Sequence, residues 1–457
     1  MTMRGSLSLP EGVAAAEVLK VGSHMKSYGY CAAGIKELLK GSGIAGLITF
    51  FMSGLHILST SMTVWFSAGR AVTQIPLGFS PALVGVGYLL GAVSGVTMLI
   101  GLVIAWGGFV PYITLTEPIP DGMGLAQFAD MIFVQKVRLI GAGAMGVAAL
   151  WALLTLTFSR AVLREVKEAV MDAQSDSAPM RTAHRTDADL SMRTLGIVFW
   201  VTIAGLLLIF YSFISPEHLP PVQKVLFTVT GVSLAVVSGF LVTAAAAYMS
   251  GLVGTSSSPL SGVGILGIVA SSLLMYALCC DFGIFDIPNG KRLGAAIARG
   301  IFSGQADFQY LYIGIGLGVL LIAFDLLLKR FTQRCSLSPL TVSMGIYLPP
   351  VILTPILIGA MLSGFLHRRM RKESGAAAAE EGRGRGTLFA SGLIVGEVIV
   401  GLLIACVVIY TTAKGGTNAP LSIVDAGFSN IAEGLGLVVF IGLLLYFGKI
   451  VRGEKKA

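Results

Sequence analysis

The stretch LTVSMGIYLPPVILTPILIGAMLSGFL, residues 340–366, decides the class of fold, because it contains no charged side chain and few polar ones. A run of this length is long enough to cross the roughly 30 Å hydrocarbon core of a bilayer as a helix. Pro349 and Pro350 lie inside it, and proline removes an amide donor and moves the preceding residue away from helical geometry. The stretch therefore predicts a membrane segment with a helix break at 345–350.

The whole chain has the same character. It is 55% hydrophobic and 12% charged, with a mean hydropathy of +0.83, which is more apolar surface than a soluble chain of this length can bury. The apolar runs are unbroken rather than alternating, so they predict helices, whose backbone groups are satisfied in lipid. We predict an all-α, polytopic transmembrane bundle of about 9–11 spans with broken or re-entrant helices. Besides the 340–366 run, the predicted crossings are 43–66, 83–113, 137–159, 195–214, 225–250, 260–280, 308–328, 387–410 and 435–451.

Positive charge indicates the orientation. Several arginines and lysines lie in the polar stretch 160–194, whereas the next connection, 215–224, carries only Lys224. Basic loops beside membrane spans mark the cytoplasmic face, so 160–194 is predicted to be a cytoplasmic loop. The net charge of +8 is thus assigned to membrane loops and not to a nucleic-acid surface. We expect a multi-pass protein of the inner (plasma) membrane, with the lipid bilayer as its partner and no nucleic acid.

The basic cluster HRRMRK that follows the 340–366 run leaves two topologies open. A single kinked crossing places this cluster outside, whereas a re-entrant pair of half-helices returns it to the cytoplasm. The organisation predicted along the chain is an N-terminal cytoplasmic or amphipathic segment (1–42), first membrane helices (43–159), the cytoplasmic loop (160–194), central helices with breaks at 251–262 and 345–350 (195–366), a basic flexible linker (367–386), C-terminal helices (387–451) and a cytoplasmic tail (452–457).

A second break is predicted at GLVGTSSSPLSGVGI, residues 251–265, which lies between two apolar runs. Helix ends leave amide and carbonyl groups unpaired, and serine hydroxyls can cap them or bind polar cargo. Transporters use such half-helix ends as substrate sites, although a short capped turn at the inner surface explains the same residues. The candidate pathway residues of the two breaks are Gly251, Gly254, Thr255, Ser256, Ser257, Ser258, Pro259, Ser261, Gly262, Tyr347, Pro349 and Pro350.

Ionisable side chains within predicted spans are the next candidates. Glu397 lies near the centre of the 387–410 run, where burial disfavours a charged carboxylate, so it is a candidate for proton coupling. The alternative is a neutral glutamic acid hydrogen-bonded to a neighbouring helix. Asp325 is four residues before Lys329 and is predicted to pair with it. His56, alone among apolar residues, is read as hydrogen-bonded structure rather than as a ligand.

Enzymatic signatures do not appear in a suitable context. We find no metalloprotease histidine pair, phosphate loop or nucleophile elbow, and the five cysteines lack metal-ligand spacing. We therefore expect no enzymatic activity, no cofactor and no metal site.

The stretch SGLVGTSSSPLSG (250–262) resembles the Gly/Ser/Asn-Pro-(Ile/Leu)-Ser-Gly signature of the oligopeptide transporter (OPT) superfamily. Four further stretches resemble the bacterial branch of that family, in order: LPEGVAAAEVLKVG (9–22), SPALVGVGYLLG (80–91), GIYLPP (345–350) and GTLFASGLIVGEVIVGLLIA (386–405). The resemblance implies a secondary carrier of peptides or peptide-like metal chelates that is driven by the proton gradient.

The chain also differs from that family. Members usually carry several spans before the LPEGVAAAEVL stretch, and further membrane segments between Cys280 and the GAAIARGIFSG stretch (294–304). The resemblance therefore implies an OPT protein shortened at its N-terminus and internally. A carrier active alone, a non-transporting membrane scaffold, and one part of a split transporter completed by a separate chain are the alternatives.

Overall fold

The computed structural model describes residues 30–120, 122–157, 192–214, 221–253, 308–331, 337–415, 419–424 and 428–453. The helices in these ranges are α1 (Tyr30–Thr49), α2 (Pro81–Leu90), α3 (Ala92–Val103), α4 (Val110–Thr116), α5 (Leu125–Ile132), α6 (Arg138–Thr157), α7 (Met192–Ile214), α8 (Pro221–Val253), α9 (Phe308–Phe331), α10 (Pro339–Tyr347), α11 (Pro350–Ala413) and α12 (Ser429–Arg452). Short π-helical segments follow α1, α3 and α5, at Phe50–Gly54, Ile104–Phe109 and Phe133–Val137.

Five helical segments within these ranges are long and apolar enough to cross a membrane. They are Ala92–Thr116, Leu125–Trp151, Gln309–Phe331, Pro350–Ala413 and Ser429–Arg452. The predicted class, an all-α polytopic membrane protein, is confirmed. The predicted crossing 260–280, the loop 160–191 and residues 1–29 lie outside the described residues.

The chain divides into two units, of which the larger, called here the large unit, contains Met1–Met145, Ala246–Pro259 and Asp307–Ala457. The other contains Gly146–Ala245 and Leu260–Ala306. Within it, α7 and α8 pack together at Gly231, where a Cβ would lie 2.8 Å from the ring of Phe210. Apolar side chains of α7 such as Trp200 remain exposed, as expected for a helix that faces lipid.

The predicted crossing 43–66 is wrong in its second half. Helical structure ends at Gly54, and the chain then forms an antiparallel hairpin of β1 (Ser61–Ala68) and β2 (Ala71–Gly78). A two-residue turn joins the strands, with Gly69 at φ +65°. Alternate residues of β2 are buried, and β2 packs against α4, α5 and α11. This period of two appears in the burial and not in the sequence, because the buried positions include Gln74, Pro76 and Gly78.

The stretch expected to be a flexible linker is helical instead. α11 extends across it with one interruption at Gly375, whose φ of 87° and ψ of 176° are not helical. The chain reverses there, because a Cβ at Gly382 would lie 2.5 Å from Cε of Met370. The two arms of α11, 350–374 and 376–413, are therefore the arms of a helical hairpin. The physical reason lies in the composition of the stretch, since alanine and glutamate favour a helix.

Aromatic side chains tie this hairpin to its neighbours in the core of the large unit. The ring centroid of Phe447, on α12, lies 4.9 Å from that of Phe389 on α11 and 4.7 Å from that of Tyr88 on α2. Phe389 and Phe447 are fully buried. Large buried rings contribute strongly to packing, so this cluster fixes α2 and α12 against the second arm of α11.

Candidate functional site

Two short helices of the large unit begin in the same way. At the start of α2, Ser80 is the N-cap and its Oγ accepts a hydrogen bond from the amide of Leu83 over 3.2 Å. At the start of α10, Ser338 accepts from the amide of Thr341 over 3.4 Å. Proline follows each serine at the first helical position, where its missing amide costs nothing.

Each short helix is followed at once by a break and then a longer helix. Between α2 and α3 the break is Gly91, at φ 80° and ψ 169°, a region that only glycine adopts readily. Between α10 and α11 it is Leu348 and Pro349, both extended, so the helix is interrupted within the 345–350 stretch where the proline pair predicts it. α10 packs against α3 and α9 rather than alongside α11.

The two broken helices are also related in sequence. Residues 80–101 align without a gap on residues 338–359, and nine positions are identical. The identical pairs are Ser80/Ser338, Pro81/Pro339, Val84/Val342, Gly87/Gly345, Leu90/Leu348, Val93/Val351, Leu99/Leu357, Ile100/Ile358 and Gly101/Gly359. This internal repeat was missed in the sequence, although the constant spacing between the pairs makes it detectable there.

The repeats are interlocked, because the short helix of each packs on the long helix of the other. A Cβ at Gly87 would lie 2.0 Å from the carbonyl oxygen of Ile356, in the first arm of α11. In the equivalent contact, a Cβ at Gly345 would lie 2.3 Å from the carbonyl oxygen of Met98, in α3. Each crossing is thus so close that only glycine fits, as in tightly packed membrane helices.

The flanking helices are exchanged in the same manner. α1 packs on the second arm of α11, where a Cβ at Gly392 would lie 2.3 Å from the carbonyl oxygen of Leu38. α9 packs on α6, where a Cβ at Gly143 would lie 2.5 Å from the carbonyl oxygen of Leu311. The helix that precedes each repeat, α1 or α9, therefore contacts a helix that follows the other repeat. Internal repeats with discontinuous helices are an architecture that many secondary transporters share.

Glu397 joins the two repeats at the start of α2. Its Oε1 accepts a hydrogen bond from Oγ of Ser80 over 2.8 Å, and its Oε2 accepts one from the amide of Ala82 over 2.7 Å. Both oxygens face the start of α2, where the positive end of the helix dipole favours negative charge. Glu397 is therefore hydrogen-bonded to a neighbouring helix, which both interpretations of this residue allow. Its role in proton coupling stays a prediction.

This acid occurs in one repeat only. Glu397 is five residues after Gly392, at the crossing with α1, and Ala148 is five residues after Gly143, at the equivalent crossing with α9. The two crossings thus have a similar backbone arrangement, but one has a glutamate where the other has an alanine.

The stretch Gly78–Ala82 brings Glu397 close to the break at Pro349–Pro350. The amide of Gly78 donates to Oγ1 of Thr354 over 3.1 Å, and a Cβ at Gly78 would lie 2.1 Å from the carbonyl oxygen of Val351. Both contacts are in the first turn of α11, just after the break. The end of β2 and the start of α2 therefore contact both arms of α11, which sequence reasoning could not foresee because the contacts are tertiary.

Tyr347, at the last position of α10, has a partner that the sequence did not suggest. Nη2 of Arg138 donates to its hydroxyl over 3.0 Å, and the guanidinium carbon lies 4.7 Å from its ring centroid. Tyr347 is 4% exposed. The buried tyrosine and the arginine together fix the end of α10 to the start of α6.

A second polar cluster that sequence reasoning missed lies at the end of α4. Oε1 of Glu117 accepts hydrogen bonds from Nζ of Lys136 and from the hydroxyl of Tyr310, the latter over 3.0 Å. The cluster connects α4, the π-helical segment after α5, and α9. The only signal in the sequence was the presence of charged residues at the edges of apolar runs.

The remaining residues selected from the sequence are Asp325, His56 and those of the predicted 251–262 break. Asp325 is 3% exposed and pairs with Lys329 over 2.6 Å, which confirms the predicted ion pair. The Nδ1 of His56 lies 3.2 Å from the carbonyl oxygen of Gly54. Gly251 is in the last turn of α8. The remaining candidates of that break lie outside the described residues, namely Gly254, Thr255, Ser256, Ser257, Ser258, Pro259, Ser261 and Gly262.

Comparison with known proteins agrees with the sequence resemblance. The chain matches the family model described as OPT oligopeptide transporter protein over residues 1–279 and 285–408. It is 31% identical to a Haemophilus influenzae protein named "Putative oligopeptide transporter", over 548 aligned residues that cover 100% of this chain and 85% of that protein. The alignment is longer than this chain, so the relative has residues within it that this chain lacks. No solved structure matches.

Proposed function

Since the chain belongs to the OPT oligopeptide transporter family, we propose that it is a secondary active, proton-coupled carrier of oligopeptides or peptide-like metal chelates across the inner membrane. The observation that carries the proposal is the pair of interlocked broken helices with one half-buried acid between them. Cargo binds at the helix breaks, where backbone amides and carbonyls are free of helical partners. Protons act at Glu397.

Protonation of Glu397 alters the contact between the repeats. A neutral carboxyl group has one acceptor oxygen and one O–H donor, so Ser80 and Ala82 lose one of the two acceptors that they now share. The favourable interaction of the carboxylate with the start of α2 is lost at the same time. The second arm of α11 then holds α2 less tightly. α2 also packs on the first arm of α11. A movement of α2 therefore shifts that arm and the break at Pro349 and Pro350 where it begins.

This coupling fits alternating access. Each repeat holds the short helix of the other, so a shift of α2 relative to α11 changes the environment of both breaks together. Only one repeat has the acid. Protonation therefore acts directly on the contact between α2 and the second arm of α11, and not on the equivalent contact of the other repeat. Tyr347, Pro349 and Pro350 line the cargo path in this mechanism, together with the predicted 251–262 break.

The test uses the full chain reconstituted in vesicles. Glu397→Gln should abolish peptide uptake driven by a pH gradient, while exchange of labelled for unlabelled peptide, which needs no net proton movement, should persist. Glu380→Gln, at an exposed acid near the reversal of α11, is the matched control and should leave both activities unchanged. Gradient-driven uptake at the wild-type rate in Glu397→Gln would remove Glu397 from the coupling mechanism.

A carrier assembled from two chains is the second candidate. It is favoured by the residues that the Haemophilus influenzae relative has within the alignment and this chain lacks. Uptake by the purified chain alone decides between the two candidates. Transport that appears only after a second membrane polypeptide is added supports the split carrier, and no transport under either condition supports a scaffold.

A further inference from the structure

A cavity of about 500 Å³ lies beside the break at Gly91, away from Glu397 and Tyr347. The two arms of the α11 hairpin, the α2–α3 junction and the end of α12 line it, and it is partly open. Its polar lining is formed by Tyr88, Ser363, His367, Arg383 and Thr387. Among the residues that the structure describes, no acidic side chain lines it. A cavity with basic and hydroxyl groups and no acid suits an anion.

Basic side chains near the cavity also favour an anionic ligand. The arms of α11 and the end of α12 carry a group of basic residues: Arg368, Arg369, Arg371, Lys372, Arg383, Arg385, Lys449 and Arg452. Arg369 is paired with Glu373 at 2.7 Å, and Arg385 with Glu381 at 2.9 Å. Arg383 forms no ion pair within the described ranges. It is therefore the lining cation whose charge is available to a ligand.

His367 supplies a second available group. Its Nδ1 is buried and has no hydrogen-bond partner in the described structure, and the residue lines the cavity. A buried polar atom without a partner is costly, and a turn of the His367 ring that brings a nitrogen to a ligand in the cavity would satisfy it.

The position of the cavity identifies the ligand class. Met361 and Phe365, on the same arm of α11, are 54% and 58% exposed, as expected for side chains that contact acyl chains. Dense basic charge at the ends of membrane helices marks the cytoplasmic face, where anionic lipids gather. We propose that this cavity binds the phosphate of an anionic phospholipid head group, with Arg383 and His367 as its ligands and Ser363 as a hydroxyl donor. The bound lipid holds the α11 hairpin closed against α2.

The experiment places the full chain in phosphatidylcholine nanodiscs and adds phosphatidylglycerol in steps, while native mass spectrometry counts retained phosphatidylglycerol and thermal unfolding reports stability. Arg383→Gln should weaken phosphatidylglycerol retention about fivefold, the effect of one basic side chain near an anionic surface. Arg369→Gln, at a cation of the same hairpin that does not line the cavity, is the matched control and should change retention by less than twofold. Unfolding in pure phosphatidylcholine shows whether each variant is folded.

Each outcome is informative. Equal losses in Arg383→Gln and Arg369→Gln would reduce the effect to diffuse surface charge and overturn the proposal, as would unchanged retention in Arg383→Gln. Inorganic phosphate at millimolar concentration is the second probe. If it stabilises the chain as fully as phosphatidylglycerol does, the ligand is a free anion and the lipid assignment is overturned. If it does not, while phosphatidylglycerol does, the lipid assignment is supported.

Discussion

Ser80 donates to Glu397 over 2.8 Å while its own oxygen caps the amide of Leu83, so one hydroxyl serves two helices. Its counterpart Ser338 caps Thr341 and occupies the equivalent position in the second repeat. Ser80→Ala should therefore destabilise the protein more than Ser338→Ala. Loss of a serine cap alone costs about 1 kcal/mol, and loss of the bond to a charged carboxylate adds about 1.5–3 kcal/mol. Thermal unfolding of both variants in nanodiscs measures the difference, and equal losses would show that the bond to Glu397 contributes nothing.

Alanine substitutions at the two glycine crossings should both lower the stability of the protein. Gly87→Ala and Gly345→Ala place a methyl group 2.0 Å and 2.3 Å from a backbone oxygen of the other repeat, so each should cost about 1–3 kcal/mol through overpacking. Gly442→Ala, in α12, has open space at its Cβ and should be neutral or stabilising. Unfolding midpoints measured side by side test this. A destabilised Gly442→Ala would point to general sensitivity of helical glycines rather than to the crossings.

Much of the fold was predictable wherever a local property decided it. The long apolar runs predicted the helices, and the break at Pro349 and Pro350 followed from the missing proline amides. The hairpin of β1 and β2 was missed because β1 overlaps the end of the apolar run 43–66, and because the buried positions of β2 are not its apolar ones. The stretch 367–386, on both sides of the reversal at Gly375, was taken for a flexible linker because its glycines and charges were given more weight than its alanines.

The candidate site was less predictable, for a different reason. Glu397 could be selected as an acid inside an apolar run, but its partners Ser80 and Ala82 are more than three hundred residues earlier in the chain. Arg138, the partner of Tyr347, was not selected at all, because a charge at the edge of an apolar run is common. The repeat itself was present in the sequence, and a search for identical residues at constant spacing would have found it.

Two variants separate the contribution of the Arg138–Tyr347 hydrogen bond from that of the arginine charge over the tyrosine ring. Tyr347→Phe removes only the bond to Nη2 and should cost about 0.5–1.5 kcal/mol. Arg138→Gln also removes the cation over the ring, so it should cost more, by about 0.5–2 kcal/mol. In the double variant the two losses should not add, because the side chains contact each other. Chemical unfolding of the four proteins completes the cycle, and strict additivity would show that the contact carries no energy.

A substitution at Gly91 tests whether the bend between α2 and α3 is required for function. No atom lies within 4 Å of a Cβ at this position, so Gly91→Ala meets no steric obstacle from its neighbours. Its φ of 80° and ψ of 169° nevertheless belong to a region that residues with a Cβ avoid, at a cost of about 1–3 kcal/mol. The alanine variant should relieve this cost by straightening the junction of α2 and α3. Because α2 carries Ser80 at one end and the cavity residue Tyr88 near the other, straightening should weaken both peptide uptake and phosphatidylglycerol retention. Gly442→Ala again serves as the control, and wild-type values of both measurements in Gly91→Ala would show that the bend at Gly91 is not required.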